Sequence, residues 1–135
     1  MRYVQVLNVT RQRSVLGNRI EVAETHWQRT RGLLGRPAIQ PGQGMMLTGC
    51  RGVHTWGMRY RLDIIMLDRH GRVVRTYSEF APWRVTAWQL RAAHTLELPA
   101  GTITATTTQV GDTLVWLPAD GDSSSANGET TSVEA

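Results

Sequence analysis

Short runs of alternating apolar and polar residues, separated by turn residues, recur along most of the chain. A side-chain period of two is typical of a β-strand with one buried face. The alternation predicts strands over 3–7, 19–22, 45–47, 62–68, 72–77, 95–98 and 113–117. Many short strands joined by turns predict an all-β fold, either a mostly antiparallel sandwich or a small barrel. We expect the first two strands to form a hairpin around Gly17-Asn18.

The run from Leu62 to Leu67 is almost continuously apolar, which is typical of a strand buried on both faces. Arg69-His70-Gly71 then predicts a hairpin turn into the next strand. Asp63 interrupts the apolar run, and a buried carboxylate is costly unless it is paired or hydrogen-bonded. Asp63 is therefore either a structural anchor, satisfied by nearby arginines or by backbone N–H groups of the glycine turns in 49–57, or part of a ligand-binding site.

One segment changes to a helical period. Apolar residues at 23, 27, 33 and 34 recur at helical spacing, Thr25 can cap the start, and Gly35 followed by Pro37 ends the pattern. The spacing predicts one short helix in the N-terminal half of the chain. The segment 102–108 is rich in β-branched residues, so propensity weakly favours a strand there.

Two segments lack a regular period. Residues 81–88 contain Pro82 and two tryptophans, which fits a loop lying over the sheet. From residue 119 onward Gly, Ser, Thr and acidic residues dominate without aromatics, so 119–135 is expected to be a disordered acidic tail. The rest of the chain, 1–118, is predicted to form a single β domain.

All fifteen basic residues are arginine, and four of the eleven acidic residues lie in the tail. The body through Pro118 therefore has fifteen arginines against seven acidic residues, a formal charge of +8. A body this basic can meet an anionic partner. However, the arginines are scattered and no nucleic-acid-binding motif accompanies them, so nucleic acid is disfavoured as a partner.

The chain contains one cysteine, so it cannot form an internal disulfide. No apolar run reaches the length of a signal peptide core or the roughly 18 residues of a transmembrane helix. The simplest expected location is the cytoplasm.

An ordered set of short motifs extends from about Ile20 to Leu117. Its members are Arg31-Gly32-Leu33-Leu34-Gly35-Arg36, Gly44-Met45-Met46, Thr55, Met58, Leu62-Asp63, Leu67-Asp68, Gly71, Val73, Ala93 to Leu98, Ala100-Gly101 and Gly111-Asp112. The set resembles a small bacterial and archaeal family known as domain of unknown function 192. The resemblance implies a compact, mostly antiparallel β fold with a short helix near the start, and it implies no activity.

This chain departs from that family in three places. Many relatives have an N-terminal signal or anchor that is not seen here. Many also have an aromatic-rich Phe-Trp-Met stretch where this chain reads His54-Thr55-Trp56-Gly57-Met58, so a site here can differ chemically. Relatives favour a short helix after Ala-Gly, whereas residue composition favours a strand over 102–108.

Tryptophans in or beside the predicted loops point to a binding site over 49–57. Trp56 and Trp83 offer apolar faces for stacking, and His54, Arg59 and Asp63 offer polar groups, a combination typical of sugar- or peptide-binding surfaces. This favours a non-catalytic ligand-binding or accessory module without a cofactor, whose partner is a protein, a small molecule or a carbohydrate. The competing interpretation is that the loop tryptophans only cover an open barrel end.

A metal site or a reactive thiol is the alternative function. Cys50 and His54 lie four residues apart, and with Asp63 and His94 they would make a donor set suited to zinc, or a thiol activated by an imidazole. No Cys-x-x-Cys or His-Glu-x-x-His motif is present, and an inert buried cysteine explains Cys50 equally well. Phosphate-loop and serine-hydrolase motifs are also absent.

Overall fold

The structure is a computed structural model, and it describes residues 2–24 and 38–119. Seven strands and one short helix are present in these residues. They are β1 (Arg2–Asn8), β2 (Ser14–Ala23), β3 (Gln43–Thr48), β4 (Leu62–Leu67), β5 (Val73–Phe80), β6 (His94–Pro99), α1 (Thr102–Thr106) and β7 (Leu114–Pro118), with a 3-10 turn at Val9–Arg11. No helix in the described part of the chain is both long and apolar enough to span a bilayer.

The strands form one sheet in the order β5-β4-β6-β3-β2-β1-β7. Every neighbouring pair is antiparallel except β2 and β3, which are parallel. The two outermost strands approach each other at one end, where Val73 N donates to Asp112 O and Gly111 N donates to Val73 O, both at 2.8 Å. The sheet is thus a curled half-barrel, and the predicted all-β class is confirmed.

The sheet is apolar on both faces in its middle. Inside the curl, a first cluster includes Ile20, Met46 and Ile65. On the outer face, a second cluster includes Met45 and Ile64, and it lies under two long loops. All six residues of β4 are buried, as predicted for a strand covered on both sides.

The β1–β2 hairpin is confirmed, but its turn is not at Gly17-Asn18. Both residues lie within β2, and the chain reverses at the 3-10 turn, where the Asn8 side chain accepts hydrogen bonds from Thr10 N and Arg11 N. A Cβ at Gly17 would lie 2.4 Å from the Ile20 Cδ1, so the missing side chain makes room for core packing. Glycine here serves a strand and not a turn.

The β4–β5 hairpin is confirmed with its turn at Arg69-His70-Gly71, and Gly71 has a positive φ of 82°. The segment 102–108, in contrast, begins with helix α1 and contains no strand. The helix predicted near 25–35 and the tail after Ala119 lie outside the described residues. Ala119 itself donates to Tyr3 O and so continues the edge of the sheet.

Candidate binding surface on two paired loops

Two long loops cover the outer face of the sheet. The first loop (49–61) joins β3 to β4, and the second loop (81–93) joins β5 to β6. Thr48 and Leu62 lie opposite the two ends of β6, next to His94 and Pro99 respectively, so the first loop must run the length of β6. It buries Met58 in the second cluster on the way.

The two loops are hydrogen-bonded to each other along their length. Thr86 N donates to Val53 O at 2.9 Å, Thr55 N donates to Arg84 O at 2.8 Å, and Val53 N donates to the Thr86 hydroxyl at 3.0 Å. These bonds pair loop N–H and C=O groups that have no partner in a strand of the sheet. The loops therefore form a second layer with a fixed backbone.

Thr55 holds the second loop from beneath. Its side chain is fully buried, and its hydroxyl donates to Ala81 O at 2.7 Å and accepts from Arg84 N at 2.9 Å. Its carbonyl accepts from Trp83 N at 2.9 Å. Thr55 thus fixes the backbone on both sides of Trp83. The candidate residues chosen from the sequence did not include Thr55, because a single threonine between polar and aromatic neighbours has no distinctive pattern.

Large apolar side chains are exposed mainly on this layer. Of eight that are exposed in the described residues, five lie on the two loops. They are Trp56 (55% exposed), Trp83 (68%), Val85 (63%), Trp88 (66%) and Leu90 (76%). Concentrated exposure of this kind is typical of interaction sites. We call Trp56, Trp83, Val85 and Trp88 the tryptophan surface.

Trp83 is unusual in its backbone as well as in its exposure. Its φ is 62°, in the left-handed region that bulky side chains rarely adopt. Such a conformation costs on the order of 1–2 kcal/mol for an L-residue. Thr55 and Arg84 supply the hydrogen bonds that maintain it.

The charged side chains of the two loops have a single sign. The two loops contain five arginines, at 51, 59, 61, 84 and 91, and no acidic residue. Arg61 donates to Glu79 O at 3.0 Å. A partner that meets these loops therefore meets a positive potential beside apolar surface.

The structure brings together three of the residues predicted to bind a ligand, namely His54, Trp56 and Trp83. His54 and Trp56 have ring centroids 5.0 Å apart, and the His54 Nδ1 accepts from Trp56 N at 3.3 Å. His54 also pairs with Val85 of the second loop through a β-bridge. The next residue, Thr55, accepts the hydrogen bond from Trp83 N, so Trp83 lies beside this pair. Arg59 is exposed farther along the same loop.

Asp63, also proposed for this site, lies elsewhere. It is fully buried, its Oδ1 accepts from Glu79 N at 2.8 Å, and its Oδ2 accepts from Ile103 N at 2.7 Å. Its neighbours on β4, Leu62 and Ile64, belong to the outer cluster, so alternation directs Asp63 to the inside of the curl. The carboxylate is anchored by two backbone N–H groups, and in the described part of the chain neither an arginine nor a glycine turn of 49–57 bonds to it.

The four residues of the zinc or thiol alternative do not come together as one donor set. The Cys50 thiol donates to Gly52 O at 3.1 Å, and the His94 Nδ1 accepts from Gly49 N at 3.4 Å. Burial lowers the pKa of His94, and the nearby Asp68 opposes that shift. Within 2–24 and 38–119, no three His, Cys, Asp or Glu side chains are close enough together to hold a metal ion.

Glu97 is a buried carboxyl that the sequence pattern did not single out. It lies on β6 opposite Met45 and Ile64, beneath the loop layer, and burial raises its pKa to about 7. Alternation in β6 placed Leu96 and Leu98 inward and Glu97 outward. The two loops cover the outer face, however, so Glu97 is buried. The signal in the sequence for this burial was that β4, the strand beside β6, is apolar on both faces.

Comparison with known proteins identifies the fold and the family. The chain superposes on a protein of unknown function from Novosphingobium aromaticivorans with a TM-score of 0.71, at 20% identity over 84% of each chain. It also superposes on a putative transcription regulator from Sinorhizobium meliloti with a TM-score of 0.70, at 23% identity over 86% of this chain and 96% of that one. At these identities the likeness shows the fold alone.

In sequence, the chain is 28% identical over 102 residues to a UPF0127 protein from Thermococcus sibiricus, a match covering 73% of this chain and 66% of that relative. The sequence model of the DUF192 family, described as "Uncharacterized ACR", matches residues 7–116. That match covers most of the chain and nearly all of the β domain. The protein therefore belongs to the DUF192 family, as its motifs predicted.

Proposed function

We propose that the protein is a non-catalytic binding module that holds its ligand on the tryptophan surface. The observation that carries this proposal is Trp83, which is 68% exposed and has a φ of 62°. Neither core packing nor backbone preference favours a tryptophan at such a position. A contact made by the exposed indole would account for it.

The chemistry of the surface favours a carbohydrate ligand. Indole rings present flat apolar faces on which the C–H face of a sugar ring can stack. Because the His54 Nδ1 accepts a hydrogen bond from Trp56 N, its neutral imidazole has the Nε2–H free to donate to a hydroxyl. Arg59 adds a cationic donor for a hydroxyl or a uronate carboxylate. In this proposal Asp63 has no ligand contact.

Isothermal titration calorimetry provides the test, because its signal does not depend on the tryptophans that are removed. The protein is titrated with soluble neutral and uronate-containing oligosaccharides, and the double variant Trp56→Ala/Trp83→Ala is compared with Val15→Ala/Val110→Ala. The control pair is also exposed but lies outside both loops. We expect loss of the two tryptophans to weaken binding at least tenfold, or about 1.4 kcal/mol, with no change in the control. Equal binding by all three proteins would contradict the proposal.

The zinc or thiol alternative is tested separately. Protein purified without chelator is assayed for metal, and the rate of Cys50 alkylation is followed against pH. Stoichiometric zinc, or a thiol that reacts well below the ordinary cysteine pKa of about 8.5, would favour the enzyme over the binding module. The cytoplasmic location expected from the sequence stays a prediction.

A further inference from the structure

An open cleft of about 640 Å³ lies where the β4–β5 turn meets both long loops. Four arginines line it, Arg51 and Arg91 from the loops and Arg69 and Arg72 from the turn. We propose that this arginine cleft binds a phosphate-bearing ligand. The site is separate from the tryptophan surface, and the proposal does not depend on the function proposed above.

Among residues 2–24 and 38–119, carboxylates balance little of the charge in the cleft. Asp68 is the one carboxylate among its lining residues, and its Oδ1 already accepts from His70 N at 2.8 Å and Arg72 N at 2.9 Å. In the described residues, ion pairs join Arg2 to Glu24 and Arg11 to Asp112. Neither pair includes an arginine of the cleft. Four like charges around one concavity favour an anionic occupant.

The backbone that carries these arginines is fixed. In the turn, Asp68 N donates to Arg72 O at 2.9 Å, and a Cβ on Gly71 would lie 2.5 Å from Leu114 O, so the turn is packed against β7. In the loops, Gln89 N donates to Arg51 O at 3.0 Å. Binding therefore requires ordering of side chains but not of the main chain.

Phosphate fits the donors better than a monovalent anion does. A guanidinium presents parallel N–H groups that match two oxygens of one phosphate, and several guanidiniums can share a dianion. Arg69 donates through Nε to the His70 Nε2 at 3.2 Å, which leaves its two terminal nitrogens for a ligand. Val74, Leu90 and Val110 add an apolar wall suited to the organic part of a phosphate ester.

The test is calorimetric titration at low salt with inorganic pyrophosphate and with phenyl phosphate. Wild type is compared with Arg69→Gln/Arg91→Gln and with Arg13→Gln/Arg84→Gln, which has the same net charge but leaves the cleft intact. We expect saturable binding that weakens at least about tenfold in the cleft variant and stays within about threefold in the control. Trp56→Ala/Trp83→Ala should bind like wild type, which separates this site from the tryptophan surface.

A second arm identifies the source of the phosphate. Vesicles of phosphatidylcholine are compared with vesicles that also contain phosphatidylglycerol. Binding to the anionic vesicles that depends on Arg69 and Arg91, without a response to the soluble phosphates, would assign the cleft to a lipid headgroup. The proposal is overturned if wild type binds none of these probes, or if both arginine pairs weaken binding equally.

Discussion

The carboxylate of Asp63 accepts a hydrogen bond from the backbone N–H of Ile103 at 2.7 Å, across 40 residues of sequence. Ile103 lies in the first turn of α1, where N–H groups have no partner within the helix. Gly101, at the N-cap position, has no side chain to supply the missing acceptor. A strand residue therefore caps the helix from outside it, and its second oxygen secures Glu79 at the end of β5.

Replacing Asp63 is expected to destabilise the fold. Asparagine keeps one acceptor but turns an NH₂ toward a backbone donor, so Asp63→Asn should lower the free energy of unfolding by about 1–3 kcal/mol. Asp63→Ala removes the acceptor of both N–H groups, leaves the buried one at Ile103 unpaired, and should lower the free energy of unfolding further. Urea denaturation at pH 7 measures both. Glu79→Gln is the control, because that side chain is exposed, and wild-type stability in both Asp63 variants would refute the anchor role.

The hydrogen bond between Ile103 N and Asp63 illustrates which parts of the fold the sequence pattern could not predict. The β4–β5 hairpin was predictable because burial, alternation and a glycine turn all act locally. Helix α1 was indicated by the family resemblance but not by its own residues, because its β-branched threonines favour a strand and Asp63 supplies the helix cap from 40 residues away.

The site was predictable only in part, for a similar reason. Trp56 and Trp83 stand out among glycine turns and loop residues, so their exposure could be expected. The arginine cleft could not, since its four residues come from three segments that only the fold brings together. The buried state of Glu97 likewise depends on loops that cross the sheet from elsewhere.

Substitutions at Trp83 should reveal its backbone strain. Trp83→Gly and Trp83→Ala remove the same exposed indole, but glycine adopts a φ of 62° without the clash that a Cβ makes. We expect the glycine variant to be more stable than the alanine variant by about 1 kcal/mol. Thermal or urea denaturation of the two variants provides the measurement.

Trp56 is the matched control, since it is 55% exposed but is not among the described residues with positive φ. There the order should reverse, because glycine has more backbone entropy to lose on folding. If alanine is at least as stable as glycine at Trp83 too, the left-handed conformation of Trp83 carries no strain.

Asp112 is expected to stabilise the protein only above strongly acidic pH. Burial by itself would raise the pKa of its carboxyl, but hydrogen bonds from Arg11, Asn8 and Gln109 N outweigh that effect and hold the pKa below its ordinary value. A lowered pKa in the folded state gives stability that is present above the unfolded value of 3.8 and is lost as pH falls through the folded value.

The variant Asp112→Asn tests this. It should be less stable than wild type at pH 7 by about 1–3 kcal/mol, and the gap should close as pH falls below about 4. Glu24→Gln is the control, because the pair Arg2–Glu24 is partly exposed and should contribute less than about 1 kcal/mol. A gap between wild type and Asp112→Asn that stays constant down to pH 2 would exclude linkage through this carboxyl.

Glu97 should give the opposite pH dependence. Burial raises its pKa from 4.5 to about 7, so the folded state favours the protonated acid. The associated stability is complete below pH 4.5, falls as pH rises to about 7, and is constant above that, because both states are then ionised. A shift of this size corresponds to a loss of about 3 kcal/mol over that range.

Glu97→Gln removes the ionisation and keeps the shape of the side chain. We expect wild type and variant to be about equally stable at pH 4, and the variant to gain stability relative to wild type up to pH 7 and then hold a constant advantage. Urea denaturation at unit steps from pH 4 to pH 8 measures the difference. His94 titrates in both proteins with the opposite sign, because burial lowers its pKa, and so it cancels in the comparison. Parallel profiles would show that Glu97 ionises in the folded protein as easily as in the unfolded chain.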